Sequence, residues 1–135
     1  MRLLTVILFC IITAFPGIKN LNPLNGTWIP VKQEINGTAL PESSFQKQSL
    51  VINDSNYVFT AESVDKGVAK FGDGKLDIYG KDGVNAGKHF TAIYKLENEL
   101  LSICYNLSGD SYPESFDTKD KQGFFLCVFK KDTSK

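Results

Sequence analysis

From residue 21 onward, turn signals interrupt the chain every ~8–12 residues, and this spacing restricts the fold more than any other feature. Asn25-Gly26, Asn36-Gly37, Asn53-Asp54-Ser55-Asn56, Asp65-Lys66-Gly67, Gly72-Asp73-Gly74 and Glu97-Asn98-Glu99 are built from residues that close tight turns. The segments between them leave no helix long enough to cross between parallel strands, so the strands pair with antiparallel neighbours. Two of them alternate with a period of two: Tyr57, Phe59 and Ala61 oppose Val58, Thr60 and Glu62, and Leu101, Ile103 and Tyr105 oppose Ser102, Cys104 and Asn106. Strands are expected over residues 27–35, 49–52, 57–63, 68–71, 75–79, 88–96, 100–107 and 123–130. One short helix, a turn or two long, is expected after the first strand over residues 41–47, with Pro41 at its start. Residues 80–87 and 108–122 are the longer loops. Eight antiparallel strands in sequence order close into a barrel that has no sheet edge. The expected fold is all-β, an eight-stranded antiparallel up-and-down barrel, with no internal repeat or linker.

The N-terminus obeys a different pattern. Met1-Arg2 supplies a positive start, residues 3–15 are apolar except for Thr5 and Thr13, and Pro16-Gly17 end the run. This is the arrangement of a secretory signal peptide, and the run is shorter than the ~20 apolar residues that span a bilayer. The expected division is a signal peptide over residues 1–19 and a barrel domain over residues 20–135, exported to the periplasm or secreted, with no transmembrane span after signal removal. Cys10 lies inside the apolar run behind Phe9 and is expected to leave with the signal.

Charge and chemistry-bearing residues exclude several functions. Fifteen Lys+Arg balance fifteen Asp+Glu, which disfavours a nucleic-acid partner, because phosphate neutralisation needs a cationic surplus. A single His restricts metal and acid–base chemistry. Arg2 is the only Arg, so the barrel domain has no bidentate guanidinium clamp. No phosphate-cradling Gly-rich loop, metal-spaced cluster or nucleophile–base set is present, and neither a cofactor nor an enzymatic activity is expected. His89 reads as a solvated His at a strand start, and Asp73, Asp77 and Asp82 as solvated turn acids. Cys104 and Cys127 fall on the last two strands. They are either a disulfide or two buried thiols, and the expectation is a bridge contributing about 3 kcal/mol.

A set of short motifs recurs in order along the domain: Leu24-Asn25-Gly26-Thr27-Trp28, Glu34-Ile35-Asn36-Gly37, Leu40-Pro41, Leu76-Asp77-Ile78, residues 82–88, Ile93-Tyr94-Lys95-Leu96, residues 101–106, Pro113-Glu114-Ser115-Phe116 and Phe129-Lys130-Lys131. The set resembles the lipocalin-like uncharacterised domain family abundant in planctomycetes and found in other bacteria, over residues 21–131. The resemblance implies a lipocalin-like barrel, often exported, with no assigned biochemical activity. Lipocalins carry Gly-x-Trp at the start of the first strand, which Gly26-Thr27-Trp28 matches, and a cation from the last strand lies across that Trp at the closed end. Lys130 and Lys131 are the candidates for that cation. The chain departs from the family in having Tyr112 where an Arg often precedes Pro-x-x-Phe, and in a shorter segment between the fourth and fifth strands. Under a bacterial resemblance, the Asn-x-Ser/Thr sequons at Asn25, Asn36, Asn53 and Asn106 read as turns rather than glycan sites.

The candidate site is the inward face of the barrel. Trp28 reads as a plug at the closed end, with a ligand-stacking wall as the functional alternative. Tyr57, Phe59, Tyr94, Leu101, Ile103 and Tyr105 fall on alternating positions that point inward. In a hollow barrel they line an apolar cavity for a small lipophilic or aromatic ligand; in a filled one they are core. The expected function is therefore an exported lipocalin-like protein that binds a small apolar molecule. The alternative is a filled barrel that contacts a protein partner at the cell envelope through residues 80–87 and 108–122.

Overall fold

The structure, a computed structural model, describes residues 22–134. The expected signal segment, residues 1–19, and Cys10 lie outside the described residues. The described chain forms β1 (Gly26–Ile35), β2 (Thr38–Ala39), β3 (Ser49–Asn53), β4 (Asn56–Thr60), β5 (Val64–Gly72), β6 (Lys75–Asp82), β7 (His89–Glu97), β8 (Leu100–Asn106) and β9 (Phe124–Lys131). Each strand pairs antiparallel with its sequence neighbour except that β1 skips the two-residue β2 to reach β3, and β1–β9 pairing closes the ring. Eight strands make the barrel, and β2 extends only the upper end of β1, pairing Glu34 with Ala39. The expected all-β closed antiparallel barrel is therefore present.

The ends of the barrel are built differently. At the base, two-residue turns join β3 to β4, β5 to β6 and β7 to β8. Asp73, Gly74, Asn98 and Glu99 all take positive φ, the backbone of hairpin turns whose twist matches that of the strands. At the upper end the connections are longer, running over residues 36–48, 83–88 and 107–123. Only β4 and β5 are joined there by a short turn, in which the Ala61 amide donates to the Ser63 carbonyl.

Three local expectations are corrected. The short helix after the first strand is a single 3-10 turn, Glu42–Ser44, lying after β2. It ends because Phe45, at φ −133°, leaves helical geometry and is buried in the protein interior. Asp65-Lys66-Gly67 is not a turn but the upper half of β5. Gly67 serves packing there: a Cβ on it would stand 2.1 Å from the Tyr79 carbonyl oxygen and 2.8 Å from Cε1 of Tyr57, its cross-strand partner. The Cys104–Cys127 bridge does not form, and both thiols are free and buried. Register explains this: Cys127 pairs with Ile103 and Cys104 with Leu126, so the two side chains point to opposite faces of the sheet.

Cys104 points outward yet is 0% exposed, because residues 107–123 fold back along the outer wall as a strap. Asn106 Nδ2 donates to Asp110 Oδ1 and to the Ser111 carbonyl, Thr91 Oγ1 donates to the same carbonyl, and Tyr112 donates to Asp77 Oδ2. The returning half is held by Thr118, which donates to Glu34 Oε1 at 2.7 Å and accepts from the Gly37 amide at 2.9 Å. Burial pushes the Cys104 thiol up to about 11. Asn106, one of the four sequon residues, is buried with its amide engaged, which removes it as a glycan acceptor in the folded domain.

Candidate functional site

Inward-facing residues pack solidly only toward the base. Trp28 is 2% exposed, and its indole N–H donates to the Leu24 carbonyl at 2.8 Å. Lys131, its partner across β1 and β9, places Nζ 5.7 Å from the ring centroid, a cation over an aromatic face. Lys131, not Lys130, therefore caps the indole. Gly26 makes this possible: its φ is +136°, and a Cβ there would stand 2.8 Å from Lys131 Cε. The spacing in Gly26-Thr27-Trp28 thus has a steric cause, since the residue two before the Trp must clear the cap's aliphatic stem.

Above this plug the barrel encloses a cavity of ≈ 150 Å³. Its walls are Leu50 and Ile52 from β3, Tyr57 and Phe59 from β4, Ala69 and Phe71 from β5, Leu76 and Ile78 from β6, Phe90 from β7, Ile103 and Tyr105 from β8, and Phe125, Cys127 and Phe129 from β9. Asp65, Asn85 and the exposed Leu107 line its upper part. Strand β1, which carries a bulge, contributes no lining residue. Pro30 pairs with Phe129 and Lys32 with Val128, leaving Val31 as an extra residue. The bulge shifts the inward parity from Trp28 and Pro30 to Gln33, whose Nε2 lies 3.5 Å from Cys127 Sγ and donates to Gln48 Oε1 at 2.7 Å.

Of the seven sequence candidates, Tyr57, Phe59, Ile103 and Tyr105 line the cavity. Trp28 and Leu101 are buried in the core beneath it, and Tyr94 packs edge-on against Phe71 at 5.5 Å. Phe71, Phe90 and Phe125 were missed although they sit on their strands with the same two-residue alternation. Asp65 and Asn85 were missed because both stand in segments that read as turns.

Asp65 is the one carboxylate in the wall and is only 7% exposed. Asn85 Nδ2 donates to its Oδ2 at 2.9 Å, and the Tyr57 hydroxyl reaches the same oxygen at a long 3.4 Å. Oδ1 has no hydrogen-bond partner, and no Lys forms an ion pair with Asp65 among the described residues. Burial, then the charge of Asp65 and the hydrogen bond to it, push the Tyr57 hydroxyl up to about 12. Burial likewise pushes the Cys127 thiol to about 12 and the Tyr105 hydroxyl well above its ordinary value. These three groups hold their protons at neutral pH, so the wall stays uncharged around Asp65.

A second polar group lies on the outer wall. His89 Nε2 is 2.8 Å from Asp77 Oδ1, and its ring stacks on Tyr79 with centroids 4.6 Å apart. His89 is thus held by two side chains rather than by water alone. Burial alone would raise the Asp77 carboxyl, but hydrogen bonds from Tyr112 and His89, with the charges of His89 and Lys70, outweigh it and hold the group below its ordinary value. Asp77, His89 and Tyr112 tie the strap to the outer wall of the barrel. No group of three or more metal-ligating side chains occurs among the described residues. No protein-family model, curated protein or solved structure matches the chain.

Proposed function

We propose that this protein is an exported, lipocalin-like binding protein that holds one small, mostly apolar molecule inside its barrel. The carrying observation is the ≈ 150 Å³ space above the Trp28 plug, walled by seven aromatic side chains and lined in its upper part by Asp65, Asn85 and Leu107. A dry cavity of about this size, lined by Leu, Ile and Phe, accommodates a single aromatic ring. An empty one loses dispersion contacts on every wall, so an apolar ring entering it recovers both those contacts and its own desolvation. The lipocalin-like assignment is supported by Gly26-Thr27-Trp28 with Lys131 over the indole. Export is supported by residues 1–17 of the sequence; the intact mass of the protein recovered from its own cells, shortened by about the first 19 residues, checks it.

Binding is tested by methyl NMR with propylbenzene as the probe. Saturating probe should shift the methyl resonances of Ile52, Ile78 and Ile103, which line the cavity, and leave Leu24 beneath the plug unmoved. Ala69→Leu, which projects three more carbons into the space, should abolish the shifts. Lining methyls that stay in place at saturating probe would overturn the reading.

A further inference from the structure

A buried carboxylate with an unpaired oxygen is costly, and native proteins keep few such groups. Asp65 is kept that way by several independent features of the fold. It faces inward on β5, while Lys66, its neighbour in sequence, is exposed on the outside and supplies no counter-charge. Both of its donors, Asn85 and Tyr57, converge on Oδ2 and leave Oδ1 without a partner. Gly83 lets the β6–β7 connection close against it: at φ +99°, a Cβ there would stand 2.4 Å from the Val64 carbonyl oxygen and 3.2 Å from Asp65 Oδ1. The loop thus shields the carboxylate from bulk water without contributing a cation. The remaining approach is the cavity, and rotation about the broad terminal torsion of Asp lets either oxygen turn toward it.

Resting on the cavity-binding reading above, we propose that the ligand is a small aromatic amine, its ring seated among Phe59, Phe90 and Phe125 and its ammonium paired with Asp65 as the counter-charge the fold withholds. Desolvated ammonium–carboxylate pairing is strong when hydrogen-bonded, and aromatic faces favour a nearby cation. A neutral ring would fill the same volume but leave Asp65 unpaired.

The test compares phenethylamine with its uncharged isostere propylbenzene, by calorimetric titration of the purified protein at pH 7. Phenethylamine should bind at least about tenfold more tightly to the wild type. Asp65→Asn should remove that preference, bringing the two affinities to within about threefold of each other. Propylbenzene binding as well as or better than the amine would overturn the amine proposal and leave the cavity reading standing. An amine preference that survives in Asp65→Asn would remove Asp65 from the role. Binding of neither probe would sink the cavity reading itself. The wild-type pair of titrations decides between charged and neutral head groups without depending on how the variant folds.

Discussion

The two ends of this barrel solve opposite problems with the same strands. The base joins strands by two-residue turns and fills its interior with Trp28, Leu24 and Leu101, and every polar atom there has a use: the indole N–H meets a carbonyl and Lys131 covers the ring. The upper end carries the longer connections, keeps a void, and leaves one carboxylate oxygen without a partner. Packing of the first kind maximises stability, because close-packed apolar groups gain both desolvation and dispersion. Arrangement of the second kind gives stability up, and proteins commonly do so where a ligand completes the structure. The proposed binding site stands at the end with the long loops because of this difference, and the base holds the ring closed.

The comparison can be broken most forcefully at the plug. Trp28→Ala should lower unfolding free energy by about 3–5 kcal/mol, measured by urea denaturation. A loss under about 1 kcal/mol would mean that the base is not where the barrel is held together. At the other end the sign should reverse. Asp65→Asn removes a buried, half-satisfied charge and should raise stability by about 1–3 kcal/mol in the same assay without ligand. A clear destabilisation would show that Asp65 braces the rim through Asn85 rather than standing in wait for a cation.

Smaller effects sharpen the picture. Glu99 holds φ +64° in the β7–β8 turn, a conformation that costs a residue with a Cβ about 1 kcal/mol. Glu99→Gly should raise the melting temperature accordingly, and no rise would mean the basal turns are not under that strain. The outer tether is the weakest of these features. Asp77 titrates in the folded protein below its ordinary 3.8, so its contribution is complete above that value and disappears as the pH falls through the folded value. Tyr112→Phe removes one of the hydrogen bonds that depress it, so the loss should begin at higher pH. Hydrogen exchange of amides in the strap, followed from neutral to acid pH, reads this directly; protection independent of pH in both proteins would detach the strap from Asp77.

Much of this architecture was legible in the residues. Asn36-Gly37, Gly72-Asp73-Gly74 and Asn98 mark turns because few residues accept positive φ, and Tyr57/Phe59 and Ile103/Tyr105 were readable as inward by their two-residue alternation. Trp28 was readable as a plug through the resemblance of Gly26-Thr27-Trp28 to the lipocalin first-strand pattern. The failures have specific causes. Gly67 reads as a turn residue, yet it is a gap opened for Tyr57 and the Tyr79 carbonyl. Cys104 and Cys127 were placed on neighbouring strands, but an offset of one residue puts them on opposite faces. Asp65 looked like turn chemistry, and its burial depends on strand partners and a loop distant in sequence.

The sequence by itself determined the fold class, the antiparallel order and the inward faces of β4 and β8, because turn chemistry and period-two alternation are local properties. Tertiary structure alone decided the Val31 bulge that turns Gln33 inward, the strap that buries Cys104, and the position of Asp65. Each depends on register and ring closure between residues far apart in the chain, and a shift of one residue in either would turn every one of these side chains to the other face.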